Sequence, residues 1–403
     1  MENIDETIHD LHEIVKRRFI RRPFGQILDY ADENGETTVP TPEECREAVP
    51  NALGWWTPVE NGAFFTGLYL KALLLQYENE PDQADAAEIR LLAQGLQLLN
   101  KVSSHPGFIA RGVADDGYSH YPFSSEDQAV PWVMGMHAYL KSDLCDDAEE
   151  LKAAIISVIR GIRDAGWRIP TDIDGLYSNN WASGKDFRGV TKMLYLARLL
   201  YELTGDENDL GQYISLRDAR PDDCCFTRLE ITSHGFSADM VGSPSLRQFW
   251  ICVCSHLALH ELAAMDPAHA DDFLGAAEAN GVTALQLIPQ MAEYDNETDG
   301  FSYEWRPLRR FWKPVGNSVP EAVQNALDMC TYWSEEIVPH RHMEHVVLGD
   351  AVFASWIAAS SGNEKIRKEA EKRIGEAIGH VNWETLHLSY AFAMESALIY
   401  LKI

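Results

Sequence analysis

The feature that most constrains this chain is an alternation of two kinds of helical segment. One kind is apolar nearly all round: NGAFFTGLYLKALLL (61–75), AVPWVMGMHAYL (129–140), VTKMLYLARLLYEL (190–203), LRQFWICVCSHLALHEL (246–262), VVLGDAVFASWIAAS (346–360) and LSYAFAMESALIYL (388–401). A helix without a polar face has to be buried between others. The other kind is amphipathic. In EKIRKEAEKRIGEAIGHV (364–381), Ile366, Ala370, Ile374, Ala377 and Ile378 make one stripe among mostly charged neighbours. Such a helix covers a core and faces water. DETIHDLHEIVKRRF, EIRLLAQGLQLLNKV and ELKAAIISVIRGIRDAGW have the same character.

The two kinds alternate with a repeat of roughly 60 residues, and units of this sort must stack to bury their apolar faces. Gly67 and Tyr69 in one unit correspond to Gly135 and Tyr139 in the next. The chain opens on an amphipathic helix and closes on a buried-type helix, so its two ends can pair and complete a ring. The expected fold is all-α, with low strand content. Its expected form is a single domain over residues 1–403, an (α/α)6 toroid of about six inner and six outer helices.

Charge and composition narrow the function. Lys and Arg total 34 against 62 Asp and Glu, for a net charge of −28. Such a field opposes nucleic acid and anionic membranes, so neither is an expected partner. It leaves room for a small anionic substrate, because local arginines outweigh distant charges screened within about 10 Å. No apolar run is long enough to cross a bilayer. The opening MENIDETIHD lacks the apolar centre of a secretory leader. The expected compartment is therefore the cytoplasm, or the periplasm if a leader has been removed. The seven cysteines include adjacent Cys224 and Cys225, with Cys252 and Cys254 two apart and no C-x-x-C pair. They read as free thiols in a reducing compartment.

The starts of the buried-type helices share a polar chemistry. Thr57-Pro58-Val59-Glu60 has the form of a capping box, as has Ser183-Gly184-Lys185-Asp186. Ser125-Glu126-Asp127-Gln128 also fits, but Pro131 would then lie inside the helix and cost a hydrogen bond. A start near Pro131, with SSEDQ in the preceding turn, is the expectation. Capping alone explains much of Glu60, Asp127 and Asp186. In a ring of hairpins, however, the inner helices run parallel and their N-termini share one mouth. Trp55, Trp56, Glu60, Asn61, His120, Glu126, Asp127, Trp132, Asn179, Asn180, Trp181, Asp186, Arg188, His342 and His345 would gather there. Helix N-termini favour a carboxylate ligand. Indoles beside carboxylates suit a sugar, whose ring stacks on a flat apolar face while acids bind hydroxyls or move protons.

At these residues the chain resembles the six-hairpin glycosidase superfamily. The stretch GFIARGVADDGYSHYPFSSEDQAVPWVMGMHAYLKS (107–142) is similar to a segment of its bacterial carbohydrate-active members: a Gly-Phe-x-x-Arg loop, a Ser-x-Asp-Gln turn, then an inner helix with Gly and Tyr. Relatives in that group include unsaturated glucuronyl hydrolases, β-glucuronidases and the toroidal domains of uronate polysaccharide lyases. The resemblance implies a glycoside hydrolase acting on uronic-acid-containing oligosaccharides or polysaccharides. In the unsaturated glucuronyl hydrolases an aspartate at the inner-helix mouth protonates an enol-ether double bond and then activates water. Asp127 matches that position by context, with Asp186 second.

The resulting assignment has Asp127 moving protons, assisted by Asp186 or Glu60. Trp55, Trp56 and Trp181 stack rings, and Arg111 or Arg188 holds the carboxylate, since guanidinium matches carboxylate bidentately. Asn61, His120, Glu126, Asn180 and His342 complete the polar lining, and burial beside Trp132 would raise a nearby acid. A lyase using His or Tyr as base is the alternative, supported by Asn61, Asn179, Asn180, His120, Tyr121 and His342. An epimerase using the histidines of 340–345 and a non-enzymatic helical scaffold are weaker readings. The connector 291–320 carries Arg306, Arg309, Arg310 and Lys313 among Trp305, Phe311 and Trp312, and reads either as an anionic-sugar rim or as a salt-bridged surface segment. No cofactor and no metal are expected: nucleotide and serine-hydrolase motifs are absent, and the 340–345 histidines lack H-E-x-x-H spacing.

Overall fold

The computed structural model describes residues 3–178, 184–236, 249–296, 301–315, 318–331 and 344–403. The described chain is all-α. Its helices are α1 (Ile4–Ile14), α2 (Pro42–Glu47), α3 (Gly62–Asn79), α4 (Ala86–Lys101), α5 (Glu126–Lys141), α6 (Ala148–Asp164), α7 (Phe187–Thr204), α8 (Glu207–Asp218), α9 (Arg228–His234), α10 (Phe249–Met265), α11 (Ala270–Ala284), α12 (Val319–Thr331), α13 (Asp350–Ala359), α14 (Glu364–Ala377) and α15 (Ala391–Lys402). Among the described residues the one sheet is a pair of two-residue antiparallel strands, β1 (Ile20–Arg21) and β2 (Gln26–Ile27).

The apolar segments form the interior. In α3, Ala63, Phe64, Leu68, Tyr69, Leu70 and Ala72 are wholly buried, on every side of the helix. In α14 only Ile366, Ala370, Ile374 and Ala377 are buried, which is the stripe that its sequence marks out. Buried helices pack on one another in series: α3 on α5, α7 on α10, α10 on α13, α13 on α15, and α15 again on α3. Helices α4, α6, α8, α11 and α14 lie against them, and α1 lies against α15.

Helices α3 and α5 approach each other closely. A Cβ on Gly67 would stand 2.3 Å from the Pro131 carbonyl oxygen, and one on Gly135 would stand 2.4 Å from the Gly67 oxygen. Only hydrogen fits at these two positions, so the matching glycines of successive units are a backbone-to-backbone contact.

The chain's ends are stitched together by buried polar groups. His12 Nδ1 lies 3.0 Å from both the Tyr69 hydroxyl and Glu395 Oε1, and the Tyr69 hydroxyl donates to Glu395 Oε2 at 2.6 Å. Arg18, 2 % exposed, donates to the carbonyls of Ala31, Asp32, Glu384 and Leu386. A guanidinium buried this deeply survives because its donors are satisfied.

Three expected helix starts differ. Helix α5 begins at Glu126, not near Pro131, and Pro131 sits inside it. The Ser125 side chain makes no cap bond. Gln128 turns instead to α3: its Oε1 accepts from the Phe64 N–H at 3.1 Å and its Nε2 donates to Asn61 Oδ1 at 3.2 Å. An orphan N–H in the first turn of α3 is thus satisfied from the neighbouring helix. The Thr57–Glu60 box is also unformed, because α3 starts later, with Asn61 as its N-cap. Thr57 donates to the Gly54 carbonyl at 2.7 Å, and Glu60 Oε2 accepts from the Trp56 N–H at 2.7 Å. That bond holds Trp56 at φ +76°, a left-handed conformation costly for an indole. Helix α7 starts at Phe187, later than a cap at Ser183 would put it, and Asp186 is itself the N-cap, accepting from the Gly189 N–H at 2.9 Å; Ser183 lies outside the described residues.

The basic connector is docked by ion pairs. Arg306 grips the Glu44 carboxylate with two donors, at 2.6 and 3.0 Å, Arg309 meets Glu47 at 3.1 Å, and Lys313 meets Asp328 at 3.2 Å. Trp305 is buried and donates to the Thr38 carbonyl. Of its two sequence readings, the salt-bridged segment is the one these contacts match. Among the described residues no disulfide joins the cysteines, and Cys45, Cys252 and Cys254 are buried.

Candidate functional site

The N-terminal ends of the buried helices meet around one cavity of about 610 Å³. Asn61 caps α3, Glu126 and Asp127 open α5, Arg188 is in the first turn of α7, and Trp250 and Ile251 are in the first turn of α10. His345 and Val346 precede α13, and Leu388 and Tyr390 precede α15.

Trp55, Trp56, Glu60, Asn61, Arg111, Glu126, Asp127 and Arg188 are brought together in this lining, as the sequence suggests. Three expected members are elsewhere. Trp132 faces away: it is fully buried between α5 and α4, its indole N–H donating to the Leu96 carbonyl at 2.7 Å. Helical spacing accounts for this, since Trp132 is five residues past Asp127 and so more than a turn further down α5. His120 joins a separate cluster, its Nε2 3.0 Å from Asp172 Oδ2. Asp186 is occupied as the α7 cap and does not line the cavity. Asn179, Asn180, Trp181, His340 and His342 lie outside the described residues. Tyr121, weighed as a base, is buried with its hydroxyl donating to the Val49 carbonyl.

His345 also lines the cavity, as the sequence suggests, while Asp29, Trp250 and Tyr390 in the lining and Lys192 behind Asp127 have no role assigned from sequence. Asp29 is bridged by Asn61, whose backbone N–H and side-chain amide donate to its two oxygens at 2.8 and 2.6 Å. Lys192 had a usable signal: it is the first of only two cations inside VTKMLYLARLLYEL, and a lysine in a buried helix needs an anion. Its ammonium is fully buried and donates to Asp127 Oδ1 at 2.5 Å. Burial alone would depress the Lys192 ammonium; Asp127 and Glu126 outweigh that and hold it above its ordinary value.

Glu126 is the chemically distinctive group. It is 4 % exposed, and its Oε1 has no hydrogen-bond partner among the described residues. Burial, and then the adjacent Asp127 charge, push its carboxyl up to about 8, against the opposing pull of Lys192. At neutral pH it is a neutral carboxylic acid beside an ion-paired carboxylate. A buried carboxyl raised toward neutrality in a cleft is a group that proton-transfer chemistry uses.

Arg111 is fully buried but committed: it donates to the carbonyls of Phe123 and Glu60 and to the Ser125 hydroxyl. It braces the loop carrying Ser125 while presenting positive charge to the cavity. Across the lining, His345 Nδ1 is hydrogen-bonded to the Tyr390 hydroxyl, and its ring sits edge-on to Trp250 at 5.4 Å. Among the described residues, no group of three His, Cys, Asp or Glu side chains is arranged to hold a metal ion.

Comparison with protein-family models, with curated proteins and with solved structures gives no match for this chain.

Proposed function

We propose that this chain is a carbohydrate-active enzyme, a glycoside hydrolase acting on uronic-acid-containing sugars, built on an (α/α)6 toroid. The serial packing of the buried helices, returning from α15 to α3, supports the toroid. The observation that carries the activity is Glu126: a buried carboxyl raised to about 8, with an unpartnered oxygen, in a cavity lined by indoles, further acids and arginines.

In this reading Glu126, rather than Asp127, is the proton donor. Glu126 gives its proton to the glycosidic oxygen as the bond from the anomeric carbon breaks. Asp127, oriented by Lys192, takes a proton from the attacking water. Trp55, Trp56 and Trp250 present apolar faces to sugar rings, and Arg188 with Arg111 offsets the uronate charge.

A second reading is a uronate lyase, favoured by the His345–Tyr390 pair, a base and a phenol in contact on the cavity wall. One experiment separates the two. The protein is mixed with polyuronates and with their lyase-cut oligosaccharides, and the ultraviolet band of the 4,5-unsaturated uronate is followed beside reducing-sugar release. A falling band, or a flat band with sugar released, supports hydrolysis. A rising band assigns the lyase. A flat band without release from any uronate rejects both.

A further inference from the structure

The cavity has two chemically different walls. The polar wall is made by Glu60, Asn61, Glu126, Asp127 and Arg188 around the starts of α3, α5 and α7, with Asp29 and Arg111 from loops, and Glu126 is 4 % exposed. The other wall is aliphatic. Val319, Val323 and Leu327 of α12 line it at four-residue spacing, so they share one helix face, with Ile251 and Val346 beside them. The wall runs from buried Val319 and Ile251 out to Leu327 and Val346, 46 % and 48 % exposed, so its outer end is at the mouth.

Helix α12 is held by Ala322, Ala326 and Met329, which are buried, by Asn325 donating to the Phe311 carbonyl at 2.7 Å, and by the Trp56 indole donating to the Ala326 carbonyl. Val319 shares the buried cluster of Ala322 and Ala326, and Val323 packs against it, while Leu327 at the outer end of the stripe stays exposed. A sugar ring carries hydroxyls around its rim. Against aliphatic side chains those hydroxyls would lose water and gain no partner. Apolar atoms gain by being covered there.

We propose that the ligand is amphiphilic: a uronate-bearing sugar head among the deep polar groups, joined to an aryl or alkyl aglycone that lies against Val319, Val323 and Leu327. The inference rests on the hydrolase reading and names its substrate class. The bond to be cleaved lies between the two walls. The apolar aglycone departs as its alcohol, taking the Glu126 proton, while water supplies the hydroxyl on the sugar.

The test measures binding to the full chain by tryptophan fluorescence. The probes are free glucuronate and the methyl, phenyl and octyl β-D-glucuronides, with octyl β-D-glucoside as the uncharged control, all below micelle-forming concentrations. The expected result is a Kd at least tenfold lower for the phenyl and octyl glucuronides than for the methyl compound. Val323→Thr combined with Leu327→Asn should remove most of that gain and leave methyl glucuronide binding unchanged. Both positions are at least partly exposed, so the fold should tolerate the changes. Equal Kd values for methyl and octyl glucuronides, or a gain insensitive to the α12 changes, overturn the aglycone seat and leave the uronate reading standing. Octyl glucoside binding as tightly as octyl glucuronide overturns the uronate head while leaving the seat. No binding of any glucuronide overturns both.

Discussion

Lys192, in the middle of an otherwise apolar wall of α7, donates to Asp127 Oδ1 in the first turn of α5 at 2.5 Å. The lysine side chain is completely buried and the aspartate side chain is 15 % exposed. Removing one partner strands a charge in low dielectric. Lys192→Met should therefore cost roughly 3–5 kcal/mol of stability and most of the turnover. Adding Asp127→Asn should restore part of the stability but none of the activity. Urea unfolding of the two single variants and the double variant gives the coupling.

Glu126 links activity and stability in opposite directions. Its folded carboxyl titrates near 8, well above the unfolded value, so the folded state holds a proton that the unfolded chain has released. Stability must fall as pH rises from the unfolded pKa to about 8 and level off above it. Turnover that needs the protonated acid must fall through the same upper limit. Glu126→Gln should abolish turnover while raising stability above pH 8 by a few kcal/mol, on the order of 1.4 kcal/mol per pKa unit. Thermal melts at pH 6 and 9 check the sign.

The glycine contact between α3 and α5 has a sharp steric test. Gly135→Ala puts a methyl 2.4 Å from a backbone oxygen, and helices move apart less readily than side chains do. A loss of about 1–3 kcal/mol is expected. Gly211, exposed in α8, meets nothing within 4 Å. Gly211→Ala should stabilise by up to about 1 kcal/mol. Opposite signs in the two melts confirm that packing, not helix propensity, decides the first.

At the far end of α5, burial and then Lys141 push the His137 imidazole down to about 4. Glu261 and Lys71 also face it. The folded state keeps this histidine neutral where the unfolded chain protonates it, so stability is lost as pH falls from the ordinary histidine range to about 4. His137→Asn should flatten that part of the pH–stability curve, by about 3 kcal/mol at its lower end. Denaturant midpoints at pH 4.5 and 7 read it.

Several features of the molecule follow from the one-dimensional pattern alone. Burial on all sides of α3 and on one stripe of α14 is legible because side-chain direction along a helix depends only on spacing. The pairing of α1 with α15 is legible for a related reason, since an amphipathic face and an unsheathed apolar helix at the two ends need partners. So is the gathering of Trp55, Trp56, Glu60, Asn61, Glu126, Asp127 and Arg188, because parallel buried helices bring their first turns together.

Tertiary contact decided which polar group does what. Ser125, Gln128, Thr57 and Glu60 fit local capping boxes, yet Gln128 serves the neighbouring helix and Glu60 holds the turn at Trp56. Hydrogen-bond donors are satisfied by whichever acceptor packing brings nearest, and sequence distance does not measure that. The same holds for Glu126 and Asp127. As adjacent residues they look interchangeable. Folding gives the Lys192 hydrogen bond to Asp127 and leaves Glu126 more deeply buried, and that difference in surroundings pairs one carboxylate and raises the other carboxyl.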